Sequence, residues 1–253
     1  SSQDFFHRPH PEEEDSSALP RRMRLGADFV ILRVLGQGGF GITYLARDKK
    51  RDSEVVIKEN LPVDFAARDA RTLQVRPYHK HREGYEWART RFLEEAQLLA
   101  GLNHPNIVSV YRAFEALNTA YYVMPWVGGR ELGEAVADTP EGSTEAHLRS
   151  ILLRLLDALR YLHENNLLHR DIKPANILIA DNGAPVLIDF GAARSMAGNV
   201  RRTRIVSQGY TPIEQTRDNG KLGPWSDLYA LGATFCELIT GERPPSCINR
   251  IAK

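Results

Sequence analysis

The sequence predicts an α+β chain of two lobes, a small β-rich lobe followed by a larger, mainly helical one, and three observations carry that prediction. Between Phe29 and Lys58, three runs rich in β-branched and aromatic residues, FVILRVL, ITYLA and EVVIK, are separated by turn residues, the pattern of an antiparallel meander. From about Thr144 to His163, apolar residues recur with the 3.6-residue period of a helix at Leu148, Ile151, Leu152, Leu155, Leu159 and Leu162. Val127-Gly128-Gly129 separates these two regimes. The expected organisation is a flexible acidic tail over 1–26, an N-lobe over 27–124, a hinge over 125–130 and a C-lobe over 131–253.

The tail carries Glu12, Glu13, Glu14 and Asp15 among Ser and Pro, with scattered apolar residues and no period. After the meander, residues 59–86 hold Pro62, Pro77, His79, His81 and many charges, and read as an insert too polar for the core. A helix is expected from Trp87 to Leu102, with Phe92, Ala96 and Leu99 on one face. Strands are expected at about 107–114 and 119–124. In the C-lobe, NILIA and APVLID flank Asp181-Asn182-Gly183, a hairpin turn. A second apolar helix is expected from about Ser226, read as its cap, to Thr240.

Composition narrows the function. The 253 residues, 42% hydrophobic and 26% charged, suit an ordinary globular chain. With 33 Lys and Arg against 32 Asp and Glu, no global field favours a phosphate backbone, so nucleic acid is not an expected partner. Cys236 and Cys247 are the two cysteines, too few for a disulfide framework or a zinc site, which points to a reducing, cytoplasmic compartment. No run reaches the roughly 18 to 20 apolar residues of a membrane span, although a parent protein could be membrane-anchored.

The chemistry gathers in a few short motifs. Gly36, Gly38 and Gly41 form a GxGxxG pattern between two strands, with no helix opening after it, so a dinucleotide fold fails its own structural test. What remains is a hairpin whose amides can lie over phosphates, or an ordinary glycine-rich turn. Lys58 ends the third strand, and Glu95 on the following helix is its candidate partner; Glu94 points about 100° away. His169-Arg170-Asp171-Ile172-Lys173-Pro174-Ala175-Asn176 is followed by Asp189-Phe190-Gly191. Phosphoryl transfer needs a carboxylate near the acceptor hydroxyl, oxygen ligands for Mg²⁺ and cations against the moving charge. Asp171, Asn176, Asp189, Lys173 and Lys58 supply all of these.

These motifs, with SDLYALG at 226–232, occur in an order that resembles the protein-kinase superfamily over about residues 28–250, and HRDxKPxN is similar to its Ser/Thr branch. GQGGFGITYLA, VVIKENLP and GYTPIEQ are similar to bacterial eukaryotic-like (Hanks-type) Ser/Thr kinases. The resemblance implies a bilobal protein-kinase-like fold that binds ATP with Mg²⁺, or Mn²⁺, and phosphorylates Ser or Thr of protein substrates. It implies that Lys58 holds the α and β phosphates and pairs with Glu95. Asp171 would orient the substrate hydroxyl, Lys173 would touch the γ phosphate, and Asn176 and Asp189 would hold the metal. Gly36, Gly38, Gly41, Thr43, Val56, Met124 as gatekeeper, Val127 in the hinge and Leu178 would line the nucleotide site. Asp227 would hold the catalytic loop, Ser207 would stand near Asp171, and Leu99, Val110, His169 and Phe190 would form an apolar stack. Thr203, among Arg194, Arg201, Arg202 and Arg204, is the candidate regulatory phosphosite. A homodimer, autophosphorylation, a pseudokinase scaffold and a small-molecule phosphotransferase stay open.

The sequence also departs from the family. Thr43 and Val56 replace the usual Val and Ala, and the APE motif reads Pro212-Ile213-Glu214. The insert over 59–86 lengthens the stretch between Lys58 and Glu95; it reads either as surface decoration or as a segment docked on the small lobe that sets the helix position. The chain stops at Lys253, short of the arginine that usually pairs with the glutamate matched by Glu214, which suggests a truncated C-lobe.

Overall fold

A computed structural model describes residues 17–138, 144–190, 194–195, 207–217 and 220–251. The expected phosphosite Thr203, with Arg201, Arg202 and Arg204, lies outside these residues. The chain divides into two compact units: the first ends at Asn103 and takes in Ser109–Trp126, and the second joins His104–Val108 to the chain from Val127 onward.

The first unit is built on a six-stranded antiparallel sheet of β1 (Arg24–Leu25), β2 (Phe29–Gly38), β3 (Gly41–Asp48), β4 (Ser53–Asn60), β7 (Arg112–Ala116) and β8 (Thr119–Pro125), in the order β1-β2-β3-β4-β8-β7. A two-stranded hairpin, β5 (Ala66–Arg68) and β6 (Val75–Pro77), and helix α1 (Arg82–Ala100) lie between β4 and β7. Strand alternation sorts the side chains. Ile42, Tyr44, Val55, Ile57, Tyr121 and Val123 belong to one buried cluster, while Leu35, Leu45 and Val56 form a second with Met124 and Trp126 packed against it.

Four expectations differ from the structure of this unit. The tail does not run to residue 26, because Leu19 and Leu25 are 3% and 1% exposed in the first cluster and β1 pairs with β2. The 59–86 stretch is no polar excursion: Leu61, Ala66, Val75 and Tyr85 are buried in the same cluster. Helix α1 starts at Arg82, five residues before Trp87, because its first turn is polar outside and buries only Tyr85. The expected strand over 107–114 also divides. Ile107 makes a parallel bridge to Leu187 in the second unit, and the strand proper begins at Arg112.

The second unit contains β9 (Arg130–Glu131), α2 (Leu132–Ala137), α3 (Glu145–Glu164), β10 (Leu167–Leu168), β11 (Ile177–Ile179), β12 (Pro185–Leu187), β13 (Arg194–Ser195), α4 (Ile213–Thr216), α5 (Pro224–Thr240) and α6 (Cys247–Ile251). Thr144 caps α3, accepting from the His147 amide at 3.4 Å, and the apolar period seen in the sequence faces inward at Leu148, Ile151, Leu155, Leu159 and Leu162. Gly183, at φ 78°, turns β11 into β12 as the Asp-Asn-Gly sequence requires. Helix α5 begins at Pro224 rather than at Ser226; Ser226 is its third residue, and its hydroxyl accepts from the Gly223 amide at 3.4 Å. Among the described residues, no helix is long and apolar enough to cross a membrane.

Candidate active site

In the first unit, the ladder registers bring the motif residues into rows. Gly36 pairs with Thr43, Thr43 with Lys58, and Lys58 with Tyr122, so one row crosses four strands. The next row on the same face pairs Leu45 with Val56 and Val56 with Met124. Gly36, Thr43, Val56, Lys58 and Met124, separated by up to 88 positions in the chain, are therefore neighbours on one sheet. Gly38 pairs with Gly41 at the tip of the β2–β3 hairpin. A Cβ on Gly41 would stand 1.9 Å from the Glu59 carbonyl oxygen, so glycine is required where β4 passes the turn. The chain after β4 also holds that turn: the Leu61 amide donates to the Phe40 carbonyl at 3.2 Å and the Val63 amide to that of Gly39 at 3.0 Å.

Lys58 Nζ lies 3.3 Å from Glu95 Oε1, with the two side chains 13% and 8% exposed. The expected pair is formed, and Glu94 turns away to bond Arg91 at 2.7 Å on the surface. On the opposite side of β4, Glu59 is fully buried and meets Arg68 of the β5–β6 hairpin at 2.5 Å. Tyr44 donates to Glu59 Oε2 at 2.7 Å, and Tyr121 donates to Oε1. Arg68 completes its bonds on the carbonyls of Ser17 and Leu73, each at 2.6 Å. Burial and the Glu59 carboxylate push both phenols well above their ordinary range. The hairpin also reaches α1. Asn118 donates to the Val75 carbonyl at 2.8 Å, the Tyr85 hydroxyl donates to the Asn118 carbonyl at 2.6 Å, and Phe65 packs where Gly84 leaves room.

In the second unit, Asp171 is the centre of a compact polar cluster. Its Oδ1 accepts from Ser207 Oγ at 2.5 Å, and its Oδ2 lies 3.1 Å from Lys173 Nζ. Lys173 also donates to Ser207 Oγ at 3.2 Å. Asn176 Nδ2 donates to the Asp171 carbonyl at 2.8 Å and to Oδ2 at 3.0 Å. Asn176 is fully buried, yet its Oδ1 has no hydrogen-bond partner among the described residues. A buried amide oxygen without a donor is costly, and such an acceptor suits a hard cation that takes oxygen ligands. Asp189 stands in the left-handed region at φ 58° and Arg170 at φ 70°, the kind of backbone strain that clusters at functional sites.

The loop that carries Asp171 is held by α5. Asp227, fully buried, accepts from the His169 amide at 3.0 Å and the Arg170 amide at 2.8 Å, and His163 Nε2 lies 2.9 Å from its Oδ2. His169 and Phe190 pack with ring centroids 4.5 Å apart. Gln215 donates to the Arg170 carbonyl at 2.7 Å. Glu214, expected to stand without its usual arginine, accepts from Ser226 Oγ at 2.7 Å. Val127 and Leu178 both fall in this unit, Leu178 buried opposite Val186 in the β11–β12 ladder.

Sequence reading missed Tyr122, Glu59, Arg68 and His163. Tyr122 had a signal, since it lies two residues before Met124 on a strand and so shares its face. Glu59, next to Lys58, shows only that it faces the other way.

Residues 29–252 match the family described as the protein kinase domain. Among curated relatives, the chain is 36% identical over 227 residues to the serine/threonine-protein kinase PknA of Nostoc sp., covering 85% of this chain and 37% of that protein. It is 38% identical over 225 residues to PrkC of Bacillus subtilis, covering 87% and 32%, and 36% identical over 237 residues to PknB of Mycobacterium tuberculosis, covering 90% and 34%. The chain thus spans about a third of the length of these relatives. A solved structure titled "PpkA-294 apo form" superposes with a TM-score of 0.81 at 33% identity, covering 94% of this chain and 84% of that one. Matched over nearly all of its described length in sequence and in fold, the chain belongs to the protein kinase domain family.

Proposed function

We propose that this chain is the catalytic domain of a bacterial Ser/Thr protein kinase, transferring the γ-phosphate of ATP to hydroxyls of protein substrates with Mg²⁺ as the metal. The observation that carries this reading is the Asp171 cluster. Ser207, Lys173 and Asn176 fix both carboxylate oxygens, so Asp171 presents an oriented acceptor to an incoming hydroxyl. Lys173, bonded to both Asp171 and Ser207, offsets negative charge on the moving phosphoryl group. Asn176 Oδ1 and the Asp189 carboxylate would hold the metal, which supplies charge neutralisation at the phosphates when bound. Lys58, kept in place by Glu95, binds the α and β phosphates, with Thr43, Val56 and Met124 beside it on the sheet and Gly36, Gly38 and Gly41 in the turn.

The insert belongs to the same reading. Anchored by Arg68 and touching the first turn of α1, the β5–β6 hairpin fixes the helix that carries Glu95. Thr203 is the proposed regulatory phosphosite, whose phosphate would be paired with Arg170 and neighbouring cations.

The test is incubation with labelled ATP and Mg²⁺, with and without a generic protein acceptor, and mapping of the product by mass spectrometry. Phosphate on Ser and Thr, abolished by Lys58→Met, is the expected result. A folded chain that binds nucleotide and transfers nothing would overturn the reading in favour of a scaffold.

A further inference from the structure

Tyr122 belongs to none of the motifs by which the family is read, yet it touches the Lys58–Glu95 pair from both sides. It is the direct cross-strand partner of Lys58 in the β4–β8 ladder, and Lys58 Nζ stands 5.7 Å from the centre of its ring. The residue is 1% exposed, and its ring lies 4.8 Å from that of Phe92, which sits one turn before Glu95 on α1. Its hydroxyl donates to Glu95 Oε1 at 2.6 Å, the same oxygen that Lys58 approaches at 3.3 Å.

That geometry divides the work between two donors. A glutamate side chain on a helix turns about three bonds, and one long contact to a lysine does not select one rotamer. The shorter bond, from a buried phenol whose ring packs on Phe92, does. It also gives the nearly buried carboxylate a donor that stays when Lys58 turns toward a phosphate. We infer that Tyr122 is a positioning residue for phosphoryl transfer: its hydroxyl holds the Glu95 carboxylate on the Lys58 side, so that Lys58 stands ready for nucleotide phosphates. The inference rests on the kinase reading given above.

The variant that tests it is Tyr122→Phe, which keeps the ring on Phe92 and removes one oxygen. We expect a melting temperature within about 3 °C of the wild type and a fall of about tenfold in kcat/KM for ATP, carried mainly by KM, as for the loss of one hydrogen bond to a charged group. In a Glu95→Ala background the same change should cost less than about twofold, because the hydroxyl acts through that carboxylate. Unchanged constants for Tyr122→Phe, or an equal fall in both backgrounds, would overturn the inference. The cycle is also read as the Kd for ATP with Mg²⁺, where the same tenfold and twofold changes are expected. A wild-type chain that transfers no phosphate but keeps this coupling in the Kd for ATP would overturn the kinase reading and leave only the hold of Tyr122 on Glu95 for nucleotide binding; loss of the coupling with transfer intact would overturn the inference and leave the kinase reading standing.

Discussion

Replacing Arg68 by Met removes the cation from a carboxylate that has no access to water. Glu59 and Arg68 side chains are both 0% exposed, and with Arg68 gone Glu59 keeps, among the described residues, the Tyr44 and Tyr121 hydroxyls. Breaking a buried pair from one side costs about 3–5 kcal/mol, because the remaining charge stays desolvated. At roughly 2–4 °C per kcal/mol for a chain of this size, Arg68→Met should lower the melting temperature by on the order of 10 °C. Adding Glu59→Gln removes the stranded charge while leaving an amide oxygen to accept from one phenol and an amide N–H to donate to the other, so the double variant should recover more than half of the loss. The assay is thermal unfolding by circular dichroism at fixed protein concentration, with hydrogen exchange over residues 61–81 to show that the hairpin is the part released. A single variant within about 1 kcal/mol of the wild type would refute the reasoning, and so would a double variant no better than the single one. Surface decoration, the other reading of this insert, would predict the first of those results.

Gly41→Ala should destabilise the first unit by about 1–3 kcal/mol and raise KM for ATP, since its methyl would meet the Glu59 carbonyl at 1.9 Å. Gly39→Ala, with nothing within 4 Å of its Cβ, should stay within about 1 kcal/mol in urea unfolding; equal losses at the two positions would contradict the packing argument. Ser207→Ala removes the 2.5 Å bond to Asp171 Oδ1, and at about 1.5–3 kcal/mol for a bond to a charged group kcat should fall about 10- to 100-fold with little change in KM for ATP. An unaltered kcat would show that Asp171 needs no such support. Burial and Glu59 raise the phenols of Tyr44 and Tyr121 in the fold, so their stabilisation is complete below the unfolded tyrosine value of about 10 and is lost as pH rises beyond it. Melting temperatures from pH 7 to 11 should therefore drop above about pH 10, at up to about 1.4 kcal/mol per pH unit for each phenol; a flat profile, or phenolate absorbance from both tyrosines near pH 10 in the folded chain, would refute this.

What the sequence made legible follows from locality. Helix α3 and the β11–β12 hairpin rest on periods and turn residues contained within each segment, and both form where expected. The cluster around Asp171 was legible as a group because phosphoryl transfer calls for particular residue types at short spacings: Asp171, Lys173 and Asn176 lie within six positions and meet in one cluster. The insert was not legible. Glu59 and Arg68 read as solvated charges, because what buries them is the partnership itself, completed by tyrosines 15 residues before Glu59 and 62 after it. Tyr122 hid for a related reason, since a tyrosine in a strand reads as core until the register sets it opposite Lys58. The start of α1 was placed late because its first turn shows the solvent polar residues and only Tyr85 faces inward.

The most direct test of the account is single-turnover phosphoryl transfer by Asp171→Asn beside the wild type, with nucleotide affinity measured on the same samples. The variant keeps the shape of the side chain and loses its charge. With Asp171 as the oriented acceptor, the Kd for ATP with Mg²⁺ should be unchanged and the transfer rate lower by about 10² to 10⁴, the usual contribution of a positioned acid or base. Transfer at the wild-type rate would contradict it.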